Sequence, residues 1–186
     1  GRRLWLACSM PNVSIFEDTL TGGHHNSLGN TLAVADQVNA DRSLLPELIA
    51  TYASDDEVVR LRVSSALKRV AWEHPEWIHA EIGAIMNWVE RLKQPSAQWS
   101  VGQMLLAIGP LLSESERERS IALMKTHIEE SGDWIVLNHT METLAQWAHH
   151  DPNLEAWLVP HLARFAEDSR KSVAKRAQRL LGGFGR

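Results

Sequence analysis

Apolar residues return along this chain at helical spacing and in recurring blocks. From Val59 they fall at the first position and then four, seven, eight and eleven residues on, giving Val59, Val63, Ala66, Leu67 and Val70. The same offsets select Ala97, Val101, Met104, Leu105 and Ile108, then Val136, Thr140, Thr143, Leu144 and Trp147, then Val173, Ala177, Leu180, Leu181 and Phe184. At about 100° per residue, those offsets line one side of an α-helix. The blocks begin 38, 39 and 37 residues apart, the near-constant step of a stacked repeat. Threonines weaken the face in the third block.

A second amphipathic stretch precedes each block, at 44–52, 77–92, 121–128 and 154–165. The predicted unit is helix, turn, helix, with repeats at approximately 43–74, 75–112, 113–150 and 151–184. Boundary residues agree. Asp41 or Ser43 can cap the helix that tolerates Pro46 in its opening turn. Asp55-Asp56 suits a helix N-terminus and His74-Pro75 its end. Ser113-Glu114-Ser115-Glu116 reads as a capping sequence, and Asp133-Trp134 opens the third block. Upstream, Leu28, Leu32, Ala35 and Val38 share a face within 27–38, which predicts a lone helix covering the open end of the first repeat.

DDEVVRLRVSSAL, beginning at Asp55, resembles the second helix of a HEAT repeat, in which an Asp in the turn is followed by Val-Arg and then by small and apolar residues. AQWSVGQML, DWIVLNHTMETLA and RKSVAKRAQRLL are similar to units of bacterial HEAT-like proteins. The resemblance covers roughly 44–181. It implies an all-α fold, a right-handed HEAT-like, armadillo-like α-solenoid of about four helix pairs plus an N-terminal capping helix. On this reading 26–186 is one domain preceded by a tail or loop segment, 1–25. The family's Asp-to-Arg pair is present as Asp55 and Arg60. The equivalents of Arg60 are Gln98, Leu137 and Ala174, so a continuous Asp-Arg ladder is not implied.

With 186 residues, the chain is long enough for one domain with a sizeable core. Its net charge of −4 and pI near 6.1 give no global pull towards nucleic acid or an anionic membrane. A single cysteine, Cys8, excludes an intrachain disulfide framework, and a reducing cytoplasm is the expected setting. Arg2 and Arg3 precede a short apolar run, Leu4 to Cys8, too short for an export signal. These residues read as a cloning scar or upstream residues, with Met10 as the natural start, rather than as a targeting segment. Eight tryptophans against one tyrosine are the unusual feature of the composition.

No metal site or cofactor is expected. His24 and His25 sit in a glycine-marked loop without a ligand at helical spacing beside them. His149, His150 and Asp151 are sequence neighbours that cannot share a helix face, and they lie at a helix end before Pro152. Phosphate loops, HExxH, paired cysteines and GxSxG are all missing, so no motif requires an enzyme and no catalytic residue is assigned.

The most informative stretch carries no charge at all between Pro95 and Ser113. Two residues into each block lies a position nearly opposite the core face, occupied by Leu61, Trp99, Asn138 and Lys175. Six residues in are Ser65, Gln103, Glu142 and Arg179, and Leu106 falls on the same side as Trp99. In HEAT-like stacks the second helices line the concave surface, so the resemblance implies a contact site at Trp99, Gln103, Leu106, Asn138 and His139. Two readings of Trp99 stand at this point: exposure in that groove, or cover by a neighbouring turn. The last helix, 169–186, has six basic residues and no acidic one, leaving −10 on the remainder of a chain that totals −4. Lys175, Arg176 and Arg179 are candidate phosphate contacts; solubility and the helix dipole also explain such a helix.

Some HEAT-like proteins are DNA glycosylases for alkylated purines, in which a concave-surface Trp is followed four residues later by an Asp. The matching pairs here are Trp99 with Gln103 and Trp134 with Asn138. A neutral amide cannot stabilise a developing oxocarbenium ion as a carboxylate does. The expected function is a non-enzymatic interaction module or scaffold holding a protein or peptide. The alternative is a nucleic-acid binder related to those glycosylases without their carboxylate. No membrane partner is expected. The oligomeric state stays open, since short arrays can extend end to end.

Overall fold

The computed structural model describes residues 14–24 and 27–185. Expectations for Arg2, Arg3, Cys8, Met10, His25 and Arg186 lie outside the described residues. Every regular element among the described residues is helical. The α-helices are α1 (Ile15–Leu20), α2 (Thr31–Ala40), α3 (Leu45–Ala50), α4 (Glu57–Glu73), α5 (Pro75–Ala80), α6 (Ile82–Leu92), α7 (Pro95–Ile108), α8 (Glu114–Glu130), α9 (Trp134–Ala148), α10 (Pro152–Phe165) and α11 (Lys171–Gly182).

Local chemistry sets the ends. Asp56 accepts from the Val58 N–H at 2.8 Å, Asp133 from Ile135 and Val136 at 2.8 and 3.0 Å, and Asp151 from Leu154 at 3.1 Å. Ser113 and Glu116 complete a reciprocal capping box on α8. Proline occupies the opening turn of α3, α5, α7 and α10, where its missing N–H costs nothing. Gln94 and Arg170, at the cap positions of α7 and α11, accept no backbone N–H of their own helices. They reach back one unit instead: the Gln94 amide donates to the Glu57 carbonyl at 3.0 Å, and Arg170 donates to the Gly132 carbonyl at 2.8 Å.

The helices carrying the repeated face pack in chain order: α2 on α4, α4 on α7, α7 on α9 and α9 on α11. Helices α3, α6, α8 and α10 each pack against the member of this series that follows them. All core positions of the four blocks are buried, except Leu181 and Phe184, which are half-buried at the chain's end, whereas on the upstream face Ala35 and Val38 are buried but Leu28 and Leu32 are exposed. The threonines of the third block have a role in packing. Thr143 donates its hydroxyl to the Gly102 carbonyl on α7 at 2.7 Å. A Cβ on Gly102 would meet the His139 and Thr140 backbone on α9 at an ordinary 3.8 Å.

Several boundaries differ from the periodic expectation. The lone helix begins at Thr31 rather than near Ser27, because Gly29 has φ +52° and cannot belong to a right-handed helix. Residues 77–92 form two helices, since the chain turns at Glu81 (φ −108°, ψ 6°); α5 then packs on α4 and α7, and α6 on α7 and α8. The stretch at 121–128 is the middle of α8, which the capping box starts seven residues earlier. Within 1–25, read as tail or loop, Ser14 caps a short helix, α1, whose Phe16 and Leu20 are buried.

Cations account for much of the tryptophan usage. Arg42 lies 5.8 Å from the Trp77 ring centre, Arg91 4.9 Å from Trp88, Arg117 4.8 Å from Trp147 and Lys125 4.9 Å from Trp157. Trp72 has both Lys68 and Arg69 over it, at 5.3 and 6.0 Å. Trp77, Trp88, Trp147 and Trp157 give apolar cover to the core while a cation lies over each ring, whereas Trp72 is exposed.

Candidate interaction surface

The side of α4, α7, α9 and α11 turned away from the core is a mixed surface. At its centre, α7 contributes Trp99, Gln103 and Leu106, all half-buried, on the helix that has no charged residue. Among the described tryptophans, Trp99 and Trp134 are the two without a cation over the ring. The structure therefore brings Trp99, Gln103 and Leu106 together on a partly accessible strip. Leu61, half-buried, extends that strip on α4.

Asn138 corrects the expectation of an outward row. It is only 5 % exposed. Helix α11 packs beside it, its amide donates to Ser172 Oγ at 3.4 Å, and Arg176 donates to its carbonyl at 3.3 Å. The helical angle alone placed Asn138 outward; the crossing of the last helix covers it. His139, one residue on, is half-buried. Burial pulls its imidazole pKa below the ordinary histidine value, with Arg176 and Lys68 adding to the fall and Glu142 opposing it.

The three candidate phosphate contacts have unequal freedom. Lys175 is exposed and in no ion pair among the described residues. Arg176 and Arg179 both donate to Glu142 Oε2, at 3.3 and 2.5 Å. Periodicity did not single out Lys68, although it stands nine residues into its block, as Leu106 does in the next. It is half-buried, and burial first, then Arg69, lowers its pKa. The fields of Lys68 and Arg176 meet at His139, so positive charge converges there from α4 and α11.

Two of the residues weighed as metal ligands in the sequence, His149 and Asp151, have other partners. His149 stacks on Phe184 at 4.5 Å, and Asp151 caps α10 and faces Arg117 at 3.8 Å. Among the described residues no group of three or more His, Cys, Asp or Glu side chains is placed to hold a metal ion. No described helix is long and apolar enough to cross a membrane.

A separate cavity of about 560 Å³ opens between α6, α8 and the loop that leads to α9, lined by Val89, Lys93, Leu123, His127, Glu130 and Asp133 among others. His127 is 4 % exposed, its Nδ1 meets no partner, and burial lowers its pKa to about 4. A neutral imidazole is the result at pH 7. No family model matches the chain, and no curated protein matches it.

Proposed function

We propose that the chain is a HEAT-like helical-repeat module, stacked in the right-handed sense of that family, that binds a protein or peptide without catalysing a reaction. The constant step of the repeat and the burial of its face support the stack. The observation that carries the binding reading is the strip Trp99, Gln103 and Leu106: an uncharged, partly accessible surface in the middle of a helix series whose neighbours supply polar and cationic borders. Contact sites commonly have this composition, with an apolar centre and a polar rim.

Site-specific photocrosslinking tests it. A benzophenone side chain at position 103 is expected to capture a partner that Trp99→Ala loses. The same group at Trp157 on α10, on the other helix layer, is expected to capture none. Crosslinking confined to position 157 would remove the proposal.

Nucleic-acid binding is the second reading, favoured by the cations that gather around His139 and by a ring available for base stacking. It requires affinity that falls steeply with salt. Glu142, set between Arg176 and Arg179, weighs against it by placing a carboxylate where phosphates would approach.

A further inference from the structure

The charge on this surface identifies its occupant more closely than the apolar strip does. Four cations, Lys68, Lys175, Arg176 and Arg179, stand against one carboxylate, Glu142, leaving the surface at +3; the rest of a chain that totals −4 is then at −7. This group is thus net positive on a molecule that is otherwise net negative. Lys68 stands on α4 over Trp72, while Lys175, Arg176 and Arg179 stand on α11; Lys68 and Arg176 both act on His139 of α9, and the uncharged strip of α7 borders this group.

Of these four, Lys68 and Lys175 have no carboxylate partner among the described residues, whereas Arg176 and Arg179 share Glu142. A phosphate backbone is a poor match for two unpaired cations beside an apolar strip and accompanied by a fixed anion, because its affinity grows with the number of phosphates neutralised. A peptide with carboxylates next to an aliphatic or aromatic residue matches charge to charge and apolar to apolar.

Resting on the interaction-module reading, we infer that the partner is an acidic peptide segment, its apolar residue against Trp99 and Leu106 and its carboxylates on Lys68 and Lys175. Electrostatic steering by the +3 face would speed encounter, and Trp99 would supply the anchor.

Selection from a random peptide display library against the intact protein provides the test. The expected outcome is enrichment of sequences with Asp or Glu flanking an aliphatic or aromatic residue. Synthetic versions should lose at least about tenfold in affinity on Lys68→Glu/Lys175→Glu, and similarly on replacing their acids by amides. Trp99→Ala should weaken the same peptides, with far-UV circular dichroism confirming the fold; Lys175→Glu alone, at an exposed position, gives a readout independent of packing. Neutral or basic peptides that bind in a Trp99-dependent way would overturn the acidic assignment and leave the module reading standing. Failure to select any Trp99-dependent peptide would overturn both. Single-stranded DNA that binds more tightly than every selected peptide, and is released by the double lysine change, would replace the peptide by nucleic acid.

Discussion

Arg62 lies against Gly29 so closely that a Cβ on Gly29 would stand 3.0 Å from the guanidinium carbon. Arg62 is fully buried, yet no carboxylate pairs with it among the described residues. Its N–H groups are met by backbone carbonyls: Leu20 at 2.7 Å, Gly22 at 2.5 Å, His24 at 3.1 Å and Ser27 at 3.2 Å. One side chain of α4 thereby fixes the path of the chain from α1 to α2. Gly29→Ala should cost about 1–3 kcal/mol, from φ +52° and from the guanidinium contact. Arg62→Met removes the donors from all four carbonyls and should cost about 3 kcal/mol or more in urea unfolding. Hydrogen exchange locates the effect: protection should fall in α1 and α2 and persist in α9. Uniform loss across the chain would contradict a local role.

The Tyr52 and Ser64 hydroxyls lie 2.6 Å apart, both residues fully buried. Tyr52→Phe or Ser64→Ala alone leaves one hydroxyl without a partner, at about 1–3 kcal/mol each, while the double change removes both polar groups. Its cost should be smaller than the sum of the single costs, and strict additivity would refute the coupling. Tyr52 is also the sole tyrosine. Burial raises its pKa far above the ordinary phenol value, partly offset by Ser64, so Ser64→Ala should delay phenolate absorbance to still higher pH.

Neither of these two sites was disclosed by the sequence. The period of Val59, Ala97, Val136 and Val173 located the core because burial of a helix face repeats with the helix. Arg62 and Tyr52 were invisible to it. Arg62 is three residues into its block, where charge reads as solvated, and its acceptors are carbonyls on a distant loop that no side-chain pattern encodes. Asn138 shows the same limit from the other side: its angle on α9 was correct, but its burial depends on the crossing of α11. Trp99 and Leu106 were legible because a helix without charge departs from the usual solvent face. Lys68 was legible in principle from its shared offset with Leu106, but a lone lysine on a helix is too common to draw notice.

His127 makes the fold sensitive to mild acid. Burial holds its imidazole at about 4 against an ordinary 6.5. Between those values the unfolded chain binds the proton that the native state refuses, so stability falls as pH drops from about 6.5 to 4 and is unaffected above that range. The total loss is about 3 kcal/mol from this group. His139 and His161 are lowered too and act in the same direction. Glu116, held at about 2 chiefly by its hydrogen bond from His79, contributes stability that is lost only at lower pH, as its carboxylate protonates. Urea midpoints for His127→Leu should therefore decline less than wild type between pH 7 and 5. Parallel declines would place the acid sensitivity elsewhere.

Glu142 restrains the positive face, and removing its charge should expose that role. Arg176 and Arg179 both converge on one of its oxygens, but the Arg179 side chain is 59 % exposed, and pairs at such sites contribute little to stability. Glu142→Gln should change stability by less than about 1 kcal/mol. Two effects should be larger. The imidazole of His139 loses the one neighbour that raises its pKa, so its titration followed by NMR should move to lower pH. The two arginines also become available, so acidic peptides selected on the wild-type protein should bind the variant more tightly, with a stronger salt dependence. A fall in affinity for those peptides would mean that Glu142 itself contacts the partner, placing the apolar residue nearer α11 than Trp99 allows.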